Sequence, residues 1–230
     1  MEAQGKPEGQ TMLITIANIL PQGEIEEIRA TLGSMRFEDG RVTAGWSAKL
    51  VKDNEQAREG AALTLLRERV TQAIQSNEVF NLAVRPKALT PLLFSRYTEG
   101  KHYGSHVDNP LMHGVRTDVS FTLFLADPET YDGGELVIES VSGEEEVKLP
   151  AGHLVAYDST SLHRVAPVTR GERLVAVGWA QSYVRDSAKR EMLFDLETAK
   201  RNLFAQSGKT PEFDLIAKSS ANLFRMWAEV

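Results

Sequence analysis

The chain has 230 residues, enough to bury a full core in one or two domains, and its 42% apolar and 25% charged side chains are the balance of an ordinary globular protein. It contains no cysteine, which excludes disulfides, thiolate metal sites and cysteine nucleophiles; any metal must be held by His, Asp or Glu. The formal charge of −6 argues against nucleic acid as a partner, and no apolar run approaches the ~20 residues that a membrane span needs.

Residues 1–11 are polar and lack the apolar centre of a signal peptide, so they read as a flexible leader and the compartment as the cytoplasm. Leu13 to Ile19 is a short apolar strand. Pro21 opens a helix with Ile25, Ile28 and Leu32 at helical spacing, and Gly33 is its stop. Phe37 to Arg41 reads as a turn, and Thr43 to Val51 as an edge strand ending in the polar Lys52-Asp53-Asn54. From Glu55 to Ser76, Leu63, Leu66, Val70 and Ile74 recur at helical spacing and predict a long amphipathic helix backing a sheet. These segments form an N-terminal strand and helix support region over 12–86.

Between 87 and 183 the text is strand-like. Candidate strands are Leu92–Phe94, Val119–Leu125, Glu135–Ile138, Val147–Leu149, Leu154–Tyr157, His163–Val168 and Leu174–Val177. Turn residues divide them at Asp127-Pro128, Asp132-Gly-Gly134, Ser142-Gly143, Ala151-Gly152 and Arg170-Gly171. Many short strands at near-regular spacing imply a β-sandwich or barrel. Residues 184–230 turn helical again: Met192 to Phe204, a break at Gly208 and Pro211, then a final helix through Leu223, Phe224 and Trp227. The fold class is mainly β with flanking helices, α+β.

Within this core, His106-Val-Asp108 puts an imidazole and a carboxylate two residues apart, on one face of an extended backbone. His163 is available as a third ligand, and Arg173 follows ten residues later. Two histidines and one carboxylate on one side of a metal suit a non-haem Fe(II) oxygenase. Taken singly, His106 and Asp108 could equally close a turn, and His163 could be a satisfied core histidine. An arginine between apolar stretches needs an anionic partner in any case, either a ligand or an internal Asp or Glu.

The pieces Arg96-Tyr97-x-x-Gly100, Tyr103-Gly-x-His106-Val-Asp108-Asn-Pro110, Asp132-Gly-Gly-Glu-Leu136, Pro150-Ala-Gly152, Ser161-Leu-His163-Arg-Val165, Pro167-Val, Gly171-x-Arg173 and Trp179 cover most of residues 90–185. In this text the chain resembles the Fe(II)/2-oxoglutarate dioxygenases, specifically the prolyl-4-hydroxylase-like branch of PKHD-type hydroxylases. The resemblance narrows the core to a double-stranded β-helix, or jelly roll, with a helical C-terminal extension that either packs on the core or joins two copies into a homo-oligomer.

It also implies site roles. His106, Asp108 and His163 would bind Fe(II), and Arg173 would anchor the distal carboxylate of 2-oxoglutarate with its planar fork. Tyr97 would help hold that carboxylate, or else be a strand tyrosine at the rim. Trp179 would wall the pocket near the metal and Tyr103 line its entrance. Phe94, Phe121 and Phe124 read as core. His102 and His113 flank the metal segment and either touch substrate or are exposed loop residues, His153 has no role, and Glu135 belongs to a turn. His163 and Arg173 should sit on adjacent antiparallel strands joined near Arg170-Gly171, and both can then face inward only with an odd-length connection or a bulge, for which Pro167 is the expected place.

The implied reaction consumes O₂ and 2-oxoglutarate, releases succinate and CO₂, and hydroxylates a small molecule or peptidyl proline, with ascorbate as supporting reductant. Asp108 distinguishes the chain from halogenases of the superfamily, which lack the metal carboxylate. Trp179 stands where nucleic-acid demethylases carry a second arginine. Rival readings are a cupin-like metalloenzyme that does not use 2-oxoglutarate, and a non-catalytic sensor that keeps the pocket.

Overall fold

The structure, a computed structural model, describes residues 12–230; the leader expected over 1–11 lies outside them. Strand β1 (Leu13–Ile16) leads into helix α1 (Gln22–Gly33), which buries Ile25, Ile28 and Leu32 on one face. Three short strands follow, β2 (Phe37–Asp39), β3 (Lys52–Asp53) and β4 (Glu55–Ala57). Helix α2 (Ala61–Ser76) buries Leu63, Leu66, Val70 and Ile74. Helix α3 (Glu78–Val84) restarts after Asn77, whose side-chain oxygen accepts the Phe80 N–H at 2.9 Å.

The core then runs through β5 (Pro86–Leu89), β6 (Leu93–Tyr97), β7 (His102–His106), a hairpin of β8 (Leu111–Met112) and β9 (Val115–Arg116), and β10 (Val119–Phe124). It continues with β11 (Tyr131–Gly133), β12 (Leu136–Ser140), β13 (Gly143–Val147), β14 (Leu154–Asp158), β15 (His163–Val165), β16 (Val168–Gly171) and β17 (Arg173–Ser182). Helices α4 (Ser187–Ser207) and α5 (Pro211–Trp227) complete the chain.

The strands build two large antiparallel sheets, beside the two-stranded pairs β8-β9 and β11-β16. The major sheet has the order β1-β14-β10-β17-β6-β4-β2, with β5 on β17, and the minor sheet β13-β12-β15-β7-β3. Their inner faces share one apolar cluster, with Phe124, Tyr157 and Val175 from the major sheet against Leu136, Ile138 and Val165 from the minor. This is the expected jelly roll. The other face of the major sheet packs on the helices, and alternation sorts the side chains. Val119, Phe121 and Leu123 of β10 join the helix-side cluster, where the rings of Phe80 and Phe121 meet edge-on at 5.4 Å. Ser120 and Thr122, between them, face the cavity between the sheets. On β17, Leu174, Ala176 and Ala180 face the helices, whereas Arg173, Val177 and Trp179 line that cavity.

Four expectations are corrected. Thr43 to Val51 is not an edge strand: it forms two short 3-10 turns, Gly40–Thr43 and Ala48–Leu50, with Trp46 86% exposed between them. The Asp39 carboxylate starts the first turn by accepting the Arg41 N–H at 2.9 Å, and Phe37 to Asp39, read as a turn, is strand. The long helix begins at Ala61 rather than Glu55, because Glu55–Ala57 pairs with β6 as part of the major sheet.

The fourth correction is topological. His163 and Arg173 do not sit on adjacent strands: β15 belongs to the minor sheet and β17 to the major one. After Val165 the chain leaves the minor sheet, and β16 pairs with β11 before β17 begins. Both side chains face inward because opposed sheets share one interior, so no irregularity at Pro167 is required. The bulge that matters lies in β7. His163 opposes His106 and Val165 opposes Tyr103, so β7 carries one extra residue over that stretch. Gly104, within that stretch, lets the Val51 side chain pack close, since a Cβ there would stand 2.8 Å from it.

The extension packs on the core. Arg190 of α4 is fully buried, pairs with Asp158 at the end of β14, and donates to the Val184 and Arg185 carbonyls at 3.0 and 2.7 Å. Ser187 Oγ donates to the second Asp158 oxygen. Helix α5 returns along α4 through Phe204 and Phe213, and reaches the core where Phe224 meets Tyr183. No helix among the described residues is long and apolar enough to cross a membrane.

Candidate active site

His106 ends β7, Asp108 follows in the loop, and His163 opens β15 directly opposite His106. Cross-strand pairing sets the two imidazoles 4.3 Å apart, centroid to centroid. Each ring is fixed by the backbone two residues before it: His106 Nδ1 lies 2.8 Å from the Gly104 carbonyl oxygen and His163 Nδ1 3.1 Å from that of Ser161. A carbonyl can only accept, so each Nδ1 carries the proton and each Nε2 presents a lone pair. The Nε2 atoms lie 3.9 and 3.7 Å from the Asp108 oxygens, too far for hydrogen bonds. The three prospective ligand atoms fall within 4.8 Å of one another, and no comparable group exists among the described residues.

The chemistry of this set fits Fe(II). Burial first, and the neighbouring His163 second, push the His106 imidazole down to about 4, so it is neutral at physiological pH, the form that ligates. Asp108 is held in turn: Ser120 Oγ donates to its Oδ2 at 2.6 Å, and Ser159 Oγ lies 2.7 Å from Ser120 Oγ. The Tyr103 ring stacks on His106 at 3.6 Å, and Tyr157 meets His163 edge-on at 5.1 Å. Burial raises both tyrosine hydroxyls, which therefore stay protonated.

Arg173 lies in the same cavity, of about 410 Å³. It is 2% exposed, its guanidinium lies 5.0 Å from the Tyr97 ring and 5.5 Å from the Phe124 ring, and its Nε has no hydrogen-bond partner. No carboxylate among the described residues pairs with it, which disposes of the internal Asp or Glu. A buried planar fork without a counter-charge suits a ligand carboxylate. Tyr97 is buried beside it, its hydroxyl raised by desolvation against the opposing pull of the Arg173 charge. Trp179 walls the cavity from β17, with its indole N–H buried and unpaired.

The structure therefore brings His106, Asp108, His163, Arg173, Tyr97, Trp179 and Tyr103 together. Phe124 lies in the core between the sheets, whereas Phe94 and Phe121 pack toward the helices. His113 reaches the cavity mouth; His102 and His153 do not line it, and Glu135 pairs with Lys148 at 3.7 Å. Sequence reasoning missed Ser120, Ser159, Tyr157 and Lys52. For Ser120 a signal existed, because Ser120 and Thr122 are the polar alternation of an otherwise apolar strand. Lys52 gave none, since its polar run reads as a strand end.

The profile of the 2OG-Fe(II) oxygenase superfamily matches residues 92–181. A PKHD-type hydroxylase of Picosynechococcus sp. is 57% identical over 95% of this chain and 100% of its own length, and one of Gloeothece citriformis is 54% identical over the same shares. Among solved structures, a Pseudomonas putida prolyl-4-hydroxylase aligns with TM-score 0.51 and 23% identity, covering 74% of this chain and 92% of its own. A Trichoplax adhaerens prolyl hydroxylase aligns at 0.55 and 17%, covering 79% and 86%. These structural matches carry the fold alone. From the jelly roll, the facing His, Asp and His side chains and relatives matched over their full length, it follows that the chain belongs to the PKHD-type hydroxylases of the 2OG-Fe(II) oxygenase superfamily, and is an Fe(II)- and 2-oxoglutarate-dependent hydroxylase.

Proposed function

We propose that His106, Asp108 and His163 hold the iron and that Arg173 receives the distal carboxylate of 2-oxoglutarate. Tyr97 assists at that carboxylate and Trp179 walls the reaction space. The substrate is a small molecule or a peptidyl proline. The supporting observation is the convergence of three prospective ligand atoms within 4.8 Å in the cavity that also contains an uncompensated, buried arginine. When bound, the iron and 2-oxoglutarate would let O₂ act as the oxidant, one of its oxygen atoms entering succinate as CO₂ is lost and the other becoming the hydroxyl placed on a substrate C–H bond.

The chain's own residues do the rest. The Gly104 and Ser161 carbonyls keep each Nε2 turned inward, and Ser120 fixes one Asp108 oxygen and leaves the other to the metal. Arg173 orients the cosubstrate by its far end, against the aromatic faces of Tyr97 and Phe124. Tyr103, Tyr157 and Trp179 exclude water around the reacting atoms.

Ascorbate as supporting reductant and a cytoplasmic location belong to the same proposal, because the iron must stay reduced. So does self-association through the C-terminal helices, supported by the exposed Leu215 and Met226 of α5. The test is anaerobic loading with Fe(II) and 2-oxoglutarate, then O₂ and a substrate panel. Succinate release and a product heavier by one oxygen atom are expected, both abolished in His163→Ala; iron-independent turnover, or turnover retained by that variant, would refute the assignment.

A further inference from the structure

The second cation of the cavity is Lys52. It sits on β3 opposite Tyr103 of β7, is 7% exposed, and lines the same space as the metal-binding group. Its Nζ donates to Thr43 Oγ1 at 3.0 Å and lies 5.1 Å from the Tyr103 ring centroid. That ring stacks on His106, so the ammonium is one side chain removed from the metal ligands. Thr43 in turn donates to Gln56 Oε1 at 2.9 Å, which fixes the hydroxyl that holds the lysine. No carboxylate among the described residues lies within ion-pair distance of Lys52.

A buried ammonium without a counter-ion is expensive. Burial pushes it down to about 8, against the partial support of Asp108 and Asp39, yet at neutral pH it remains mostly charged. The proposed site offers nothing to balance it. A divalent metal, Asp108, a dianionic cosubstrate and Arg173 neutralise one another, which leaves Lys52 facing the reaction space with one positive charge over.

Resting on the metal and cosubstrate roles assigned above, we propose that Lys52 anchors an anionic group of the substrate, a carboxylate, and so points a neighbouring C–H bond at the iron. The acid is carried by a free small molecule or by an acidic residue of a peptide. Lys52 acts as a specificity determinant, and Thr43 and Gln56 position it.

The test measures binding, independent of turnover. Wild-type protein is loaded without O₂ with Mn(II) and saturating 2-oxoglutarate, and broadening of probe proton signals by the paramagnetic metal is followed by NMR. The probes are benzoate, benzamide, an N-acetylated and C-amidated Gly-Glu-Gly peptide and its glutamine counterpart. The acids should bind at least about tenfold more tightly than their amides, and Lys52→Met should erase that preference while Lys52→Arg keeps most of it. The tighter of the two acids identifies the free or the peptide-borne source. Affinity for 2-oxoglutarate should be the same in Lys52→Met as in wild type. Equal binding of acids and amides, or acids bound undiminished by Lys52→Met, would overturn the proposal. So would a loss of 2-oxoglutarate affinity in that variant, which would make Lys52 part of the cosubstrate site. Failure of the wild type to bind Mn(II) and 2-oxoglutarate at all would instead overturn the cosubstrate reading, and this proposal with it.

Discussion

Replacing Lys52 by methionine removes a buried charge while keeping a flexible, unbranched side chain in the cavity wall. The magnitude follows from linkage. The lysine is held near 8 in the fold against 10.5 ordinarily, and each pKa step is worth about 1.4 kcal/mol, so keeping it charged costs the folded state about 3 kcal/mol. Methionine gives up the bond to Thr43, about 1 kcal/mol, and the contact with the Tyr103 face, about 0.5–1 kcal/mol. The substrate-free variant should therefore be more stable at neutral pH by about 1–2 kcal/mol, read by urea unfolding of metal-free protein. The pH dependence carries a sign. Because the folded pKa lies below the unfolded one, the unfolded chain holds the extra proton between about 8 and 10.5, and wild-type stability rises across that window. The variant's advantage is full below about 8 and gone above about 10.5; the Asp39 carboxyl, held below its ordinary range by Arg41, is ionised throughout this window and does not contribute to the change. A variant that is less stable at neutral pH, or an advantage that ignores pH, would refute the reasoning and make Lys52 a structural lysine.

Arg173→Gln should raise the KM for 2-oxoglutarate about 10–100-fold, the loss of one or two charge-assisted bonds, while leaving metal affinity near wild type; a cosubstrate titration checks it. Ser120→Ala takes the 2.6 Å bond from Asp108 and should weaken Co(II) or Fe(II) binding by about 10–100-fold in calorimetry, with Ser159→Ala, which acts through Ser120, weakening it less. Phe80→Ala opens a hole against Phe121 in the helix-side core and should cost about 3–5 kcal/mol in urea unfolding, with the metal site unaltered in the protein that remains folded.

Much of this was legible in the chain. The helix faces of Ile25, Ile28 and Leu32, and of Leu63, Leu66, Val70 and Ile74, are periodicities that burial reproduces, because one apolar stripe admits one solution. The metal-binding group was legible because His106 and Asp108 are local and the text around His163 is distinctive. What failed was non-local. Whether His163 and Arg173 share a sheet depends on where the chain crosses between sheets, and strand parity says nothing about that. Thr43 to Val51 has the alternation of a strand but no partner on which to bury Trp46, so it curls into turns. Lys52 is an ordinary surface residue in one dimension; only the pairing of β3 with β7 turns it into the cavity.

The Arg190–Asp158 pair ties the C-terminal helices to the strand end that leads into the support of the metal-binding group. Asp158 is the immediate neighbour of Ser159, and from there hydroxyl contacts run through Ser120 to Asp108. A protein trimmed after residue 185 would strand that aspartate in the interior with its guanidinium gone, directly behind the iron's carboxylate support. The shortened chain would then be expected to lose its grip on metal before it lost its β-sheet signature.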